Sequence, residues 1–142
     1  MNAFARSFFL LIFCGQIFAA EPSWWRERGV LNGKPADDFA AVNAGQLKNI
    51  AAAACQELDA KLPGGAGAEI ARLVGSFANS NNFAAINLGQ LKAVAKPFYD
   101  RLIAEKFVAE YPWKPGATTD DSAAANLGQL KNVFSFEIPP RR

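Results

Sequence analysis

Two pairs of adjacent aspartates, Asp37–Asp38 and Asp120–Asp121, open the similar phrases "DDFAAVN" and "DDSAAAN". With Asn43 and Asn126 they offer oxygen ligands of the kind that hold calcium. A calcium loop sets its carboxylates at alternate positions with a glycine at the bend. Here two acids are followed by apolar residues, and the corresponding middle phrase, "NNFAAIN", has Asn81 and Asn82 with no carboxylate. A polar turn is the expectation, and no metal site. Zinc fits less well still, because the chain has no histidine and only two cysteines.

Other chemistry is weighed in the same way. Gly45, Gly89 and Gly128 each open a "GQLK" string at which helical N–H groups could receive an anion. Lys48, Lys92 and Lys131 could align into a basic stripe. The asparagine ahead of each string takes one of those donors, so the glycines are expected to admit a neighbouring backbone. The lysines are expected to be solvated or paired to the Asp turns. Cys55 would need a base or a cation to become a nucleophile; with histidine absent, a small buried residue is expected. Acidic pairs such as Glu105 and Glu110 would serve a glycosidase only if the fold set two carboxylates across a cleft. No nucleophile–base pair or phosphate loop is present, so no catalytic residue and no cofactor is expected. The remaining candidates are aromatic. Trp24, Trp25, Trp113 and Tyr99 are amphipathic rings of the sort that stack on sugars or anchor protein interfaces. Trp24 and Trp25 are adjacent, so on a helix at most one is expected to face the core fully.

The elements that must position these residues follow from one local assignment. If Asn87 is an N-cap, its side chain accepts from the Gln90 N–H while the Gln90 side chain reaches back to the Asn87 N–H, which is a capping box. Ile86 and Leu91 then occupy the two positions of a hydrophobic staple. Asn43 and Gln46 repeat the box with Val42 and Leu47, and Asn126 and Gln129 repeat it with Ala125 and Leu130. Downstream, Leu47, Ile50, Ala51, Ala54 and Leu58 form one apolar helical stripe, and Leu91, Val94, Ala95, Phe98 and Leu102 form another. Pro97 predicts a kink near Lys96. Ile70, Leu73, Val74 and Phe77 predict a short helix behind the "LPGGAG" breaker, and "PSWWRERG" another, closed by Gly29.

The spacing is 44 residues from Gly45 to Gly89 and 39 from Gly89 to Gly128. Periods in that range predict an all-α fold of short stacked helical repeats, about 2.5 units of 39–44 residues. The units lie near 37–80, 81–119 and 120–138, with the last shortened in the manner of a capping repeat. Ahead of them, residues 1–20 read as a secretory signal peptide. Arg6 precedes the apolar run "FFLLIFCGQIF" and the small pair Ala19–Ala20, and the run is too short to span a bilayer. Residues 21–142 are then one domain of about 122 residues. Of the 15 basic residues Arg6 leaves with the signal, and 14 remain against 13 acids, so nucleic-acid binding is not expected. Cys55 alone survives processing, and packing must hold the fold without a disulfide.

The order "PSWWRERGVL", "FAAVNAGQLKNIA", "KLPGGAG", "NLGQLKAVAKPFYDRL", "YPW" and "NLGQLKNVFSFEI" resembles a family of secreted bacterial proteins carrying GQLK repeats. The resemblance covers nearly all of the segment after residue 20. It implies export and a helical repeat, and it brings no activity. Similar proteins often run on into Asp- and Gly-rich segments of the calcium-binding kind; this sequence ends at "EIPPRR". The expectation is an exported, non-catalytic module that binds or scaffolds at the cell envelope, in the periplasm or outside the cell, with a glycan or a protein surface as partner. The alternative is a small envelope hydrolase whose carboxylates meet only in the fold.

Overall fold

A computed structural model describes residues 21–30, 37–79 and 81–140; the signal-peptide reading of residues 1–20 lies outside them. The described chain is all-α. Its elements are α1 (Ser23–Glu27), α2 (Ala44–Lys61), α3 (Ala68–Gly75) with a 3₁₀ turn (Ser76–Asn79), α4 (Leu88–Ala104) and α5 (Leu127–Val133).

The three long motifs start their helices as local chemistry dictates. Asn43, Asn87 and Asn126 each accept from the backbone N–H three residues on, at 2.8–2.9 Å, and Gln46, Gln90 and Gln129 return the bond to the cap residue's N–H. Each such cap contributes about 1 kcal/mol. The apolar stripes face inward: Leu47, Ile50, Ala51, Ala54 and Leu58 on α2, and Leu91, Ala95, Phe98 and Leu102 on α4, are all buried. α4 continues through Pro97 and ends in a Schellman turn, with Phe107 N–H bonded to Leu102 O and Lys106 N–H to Ile103 O. α1 closes the same way at Gly29, whose φ of 63° suits a glycine.

The three motifs do not stand in an open row. In a stack each unit touches only its sequence neighbours, yet here the third motif pairs with the first. Isolated antiparallel bridges join Ala41 to Asn126, Asn43 to Ala85 and Asn87 to Ala124. Around the centre, Val42 N–H donates to Ala125 O, Ala125 N–H to Ile86 O and Ile86 N–H to Val42 O, at 2.9, 3.0 and 3.1 Å. The result is a closed ring of three. The physical reason is the helix N-terminus, whose first N–H groups have no partner inside the helix. Ala44 and Gly45 donate to Ala84 O and Asn82 O of the second motif's turn. Leu88 and Gly89 donate to Ala123 O and Asp121 O of the third turn, and Leu127 and Gly128 to Ala40 O and Asp38 O of the first. An open row would leave one helix start and one turn without these bonds. The third motif is therefore an equal member of the ring, although its helix has only seven residues.

After α5 the chain returns through the interior in an extended run. Phe134, Phe136 and Ile138 are buried, with Ser135 half-buried and Glu137 exposed between them. This alternation is the period of a strand placed against a core, and the run fills the space between α1, α2 and α4.

The closeness of the ring predicts a specific sensitivity. A Cβ on Gly89 would lie 3.1 Å from Asp121 Cβ and 3.3 Å from its carbonyl oxygen, whereas one on Gly75 would meet nothing within 4 Å. Gly89→Val is expected to lower stability by about 1–3 kcal/mol, as overpacking does. Gly75→Ala is expected to leave it unchanged or raised. Urea unfolding of the two variants against the parent checks both.

Candidate functional site

The four aromatic candidates are brought together, but inward. Trp24 is fully buried, donates its indole N–H to Phe136 O at 2.8 Å, and stacks on the Phe136 ring at 5.5 Å. Trp25 is 2% exposed and donates to Phe134 O at 3.0 Å. Tyr99 is buried with its hydroxyl donating to Val133 O at 2.8 Å, and its ring meets the edges of Phe136 and Trp113. Only Trp113, half-buried against Tyr111, reaches the surface. The expected platform is thus an internal aromatic chain, and both tryptophans of the adjacent pair face the core. The reason is that a five-residue α1 is covered by the returning C-terminal run, whose carbonyls satisfy both indole N–H groups.

The polar motifs are consumed in the ring. Asp37 Oδ1 accepts from Phe39 N–H and Asn81 Oδ1 from Phe83 N–H, each at 2.9 Å, so both close the turns ahead of the caps. Lys131 meets Asp38 and Lys92 meets Asp121, both at 2.6 Å, while Lys48 meets the neutral Asn82 at 2.6 Å. The three lysines therefore bridge separate seams and do not share a stripe. The helix-start N–H groups considered for an anion are occupied by main-chain carbonyls. Among the described residues no three His, Cys, Asp or Glu side chains gather to hold a metal ion. Cys55 is buried, with its sulfur 3.8 Å from Asp59 Oδ2. Burial, and then the Asp59 charge, push its pKa up, which keeps it a thiol.

Glu57 is a charge that sequence reasoning missed. It is fully buried on α2 and paired on both oxygens: Oε2 with Arg28 at 2.8 Å, Oε1 with Lys61 at 2.5 Å. Lys61 also donates to Ile138 O at 3.0 Å. The triad ties the end of α1, the end of α2 and the C-terminal run together. Its signal was available, since Glu57 adjoins Leu58 and follows Ala54 by three residues on the apolar face.

Two surface depressions lie among the described residues. One, of about 380 Å³, lies between the start of α3 and the second half of α4, and both Glu69 and Asp100 line it; neither Glu105 nor Glu110 does. A hydrolase would require one of the carboxyl groups to carry a proton. Burial opposes ionisation of Asp100, but hydrogen bonds from Lys96 and Tyr111 prevail and hold its pKa below the ordinary value. Asp100 thus suits an ion pair better than a general acid. Arg101, beside it, is held by Glu105 at 2.6 Å and by the carbonyls of Gly65 and Pro63. The other depression is mainly apolar, about 360 Å³, at the seam of the first and second motifs, where Ala44, Leu47, Ile86, Ala93 and Val94 line it together with the polar Lys48, Asn81 and Gln90.

Against these stand the residues that sequence reasoning did not single out: Phe39 and Phe83, 87% and 89% exposed. They occupy the same place in two equivalent turns, and Ser122 holds it in the third. Asx-turn geometry, with Asp37 and Asn81 bonding the N–H of these residues, sets the turns while the two rings are left outside.

Tyr99 yields a pH dependence. Burial pushes its phenol up to about 12 from an ordinary value of 10.0. A raised pKa in the folded state stabilises the fold fully below the unfolded value, and this contribution is lost as pH climbs toward the folded one. Stability is expected to fall between about pH 10 and pH 12, and Tyr99→Phe to show a smaller alkaline loss from a lower starting stability. Chemical denaturation at several alkaline pH values, with phenolate absorbance followed in parallel, measures this.

Comparison with protein-family models, with curated proteins and with solved structures finds no match to this chain.

Proposed function

We propose that residues 21–142, freed of an N-terminal signal peptide, form an exported, non-catalytic module that binds or scaffolds at the cell envelope. Three related helix-start units, closed in a ring, present their turns for docking. The observation that carries this reading is the pair Phe39 and Phe83, large apolar side chains almost wholly in water at matching positions. Single exposed apolar residues are ordinary; two at one structural position of a repeated turn single out that turn as a docking element. A phenyl ring offers area without a polar edge, so an apolar patch on an envelope protein fits it better than a glycan, which favours Trp and Tyr. No helix among the described residues is long and apolar enough to cross a membrane. Export follows from the reading of residues 1–20, and the helical repeat agrees with the resemblance to secreted GQLK-repeat proteins.

The test is co-sedimentation of the purified mature chain with isolated cell-wall sacculi and with bacterial membrane fractions. The parent is expected to pellet with a membrane fraction through its proteins, and to lose this after protease treatment of that fraction. A Phe39→Asp/Phe83→Asp double variant, with its helical circular dichroism intact, is expected to bind at least about tenfold more weakly. Equal binding by the variant, or no binding by the parent, would remove the proposal.

A further inference from the structure

The aromatic chain of the interior comes to the surface at one place, and polar groups surround it there. Tyr99 is buried and its hydroxyl is fixed on Val133 O, so its ring is a rigid backing. Against it lie Tyr111 and Trp113, both half-buried, with their rings 5.3 Å apart and tilted by 44°. Trp24 and Trp25 donate their indole N–H groups to main-chain carbonyls. The indole N–H of Trp113 has no acceptor among the described residues, and it is not buried. The Tyr111 hydroxyl donates to Asp100 Oδ1, and Lys96 holds Asp100 Oδ2 at 2.6 Å. Asp100 also lines the depression of about 380 Å³ between α3 and α4, together with Glu69 and Arg101. The rings and the depression therefore meet at one carboxylate.

We propose that this surface binds a neutral oligosaccharide, with one pyranose on the Trp113 and Tyr111 rings and the next in the depression beside Asp100 and Arg101. The neighbours of the rings select that ligand. A pyranose offers C–H groups to a ring face and hydroxyls at its edge, and aromatic rings with a polar tip suit that mixed character. An apolar protein patch would strip water from the Lys96–Asp100 pair and from the free indole N–H without replacing the lost hydrogen bonds, which is costly. Sugar hydroxyls both donate and accept, and so replace them. A cationic ligand is disfavoured because the Lys96 ammonium already stands 6.0 Å from the centre of the Tyr111 ring. An anionic one meets the carboxylates of Asp100 and Glu69 in the wall. Arg101 is pinned by Glu105 and by the carbonyls of Gly65 and Pro63, so its guanidinium is balanced and in place before a ligand arrives. The depression falls within the size range of small-molecule sites, about 300–1,000 Å³. Neither Phe39 nor Phe83 belongs to this surface, so the inference goes beyond the envelope reading and does not rest on it.

Titration of the mature chain with cellohexaose, maltohexaose and chitohexaose, followed by tryptophan emission and by calorimetry, is the test. Trp24 and Trp25 are buried, so a change in emission on binding reports on Trp113. At least one of these sugars is expected to bind saturably with a Kd on the order of 100 µM, as a shallow and wet site gives. Hexagalacturonate, the anionic probe, is expected to bind more weakly than that sugar. Trp113→Ala and Asp100→Ala are each expected to weaken binding at least about tenfold while helical circular dichroism is kept. Trp113→Phe keeps a ring and removes the N–H; it is expected to bind more weakly than the parent, and it serves as the test if Trp113→Ala fails to fold. The Phe39→Asp/Phe83→Asp variant is expected to bind the sugar as the parent does. Four results would each overturn the proposal: no saturable binding of any neutral probe, tighter binding of hexagalacturonate, full affinity in folded Trp113→Phe, or loss of the sugar in Phe39→Asp/Phe83→Asp. Pelleting with membrane fractions is a separate measurement, so either reading can fail without the other.

Discussion

Three backbone hydrogen bonds, Val42 to Ala125, Ala125 to Ile86 and Ile86 to Val42, hold the rest of this structure in place. Each is an ordinary amide–carbonyl bond, worth only about 1 kcal/mol net. Their consequence is larger than their energy, because they fix where three helices begin and which way they point. With the centre closed, each turn lies over the next helix start and supplies the carbonyls that its first N–H groups need. Glycine at the second helical position follows from this. Turn and helix approach so closely at Gly45, Gly89 and Gly128 that a side chain there would press on the neighbouring turn at 3.1–3.3 Å. The lysine three residues further on reaches across the same seam. One recurrent string thus carries a cap, a staple, a close approach and a bridge at once.

The interior depends on the ring for its shape and on the chain's two ends for its contents. α2 and α4 leave a space that no third long helix fills, because α5 is short. The extended run from Phe134 to Ile138 enters it instead and meets Trp24 and Trp25 from α1. Ser23 is bound to Glu137 through both its N–H and its hydroxyl, and Glu57 holds Arg28 and Lys61 together beneath. Removal of one member from such a buried charged group leaves another uncompensated, which is why these groups cost much to break. The domain is therefore tied between residues more than a hundred positions apart, with no disulfide among the described residues.

What could be read in the sequence was what local spacing determines. Asn-x-x-Gln ahead of an apolar stripe specifies a capped helix within four residues, and all three caps, both stripes and the short α3 stand where those patterns put them. Closure of the ring left no comparable trace, because its bonds run between main-chain atoms whose side chains are small and apolar: Val42, Ile86 and Ala125. A period of about forty residues is equally compatible with a row and with a ring. The tryptophans were legible as amphipathic rings but not as buried ones, since the carbonyls that satisfy them belong to Phe134 and Phe136. The alternation in "FSFEI" was the available clue. Phe39 and Phe83 passed unremarked because nothing local to "DDFAA" or "NNFAA" tells an inward phenyl ring from an outward one.

The proposed function uses a surface that the ring creates: turns that project apolar side chains. The central claim is accordingly the closure itself, and amide hydrogen exchange followed by NMR tests it most directly. A closed ring predicts that the Val42, Ile86 and Ala125 amides are protected to the same degree and are lost together. An open row of units would keep Ile86 and Ala125 protected while Val42, whose partner is across the first-to-third seam, exchanged at the rate of an exposed loop. That second result would contradict the account.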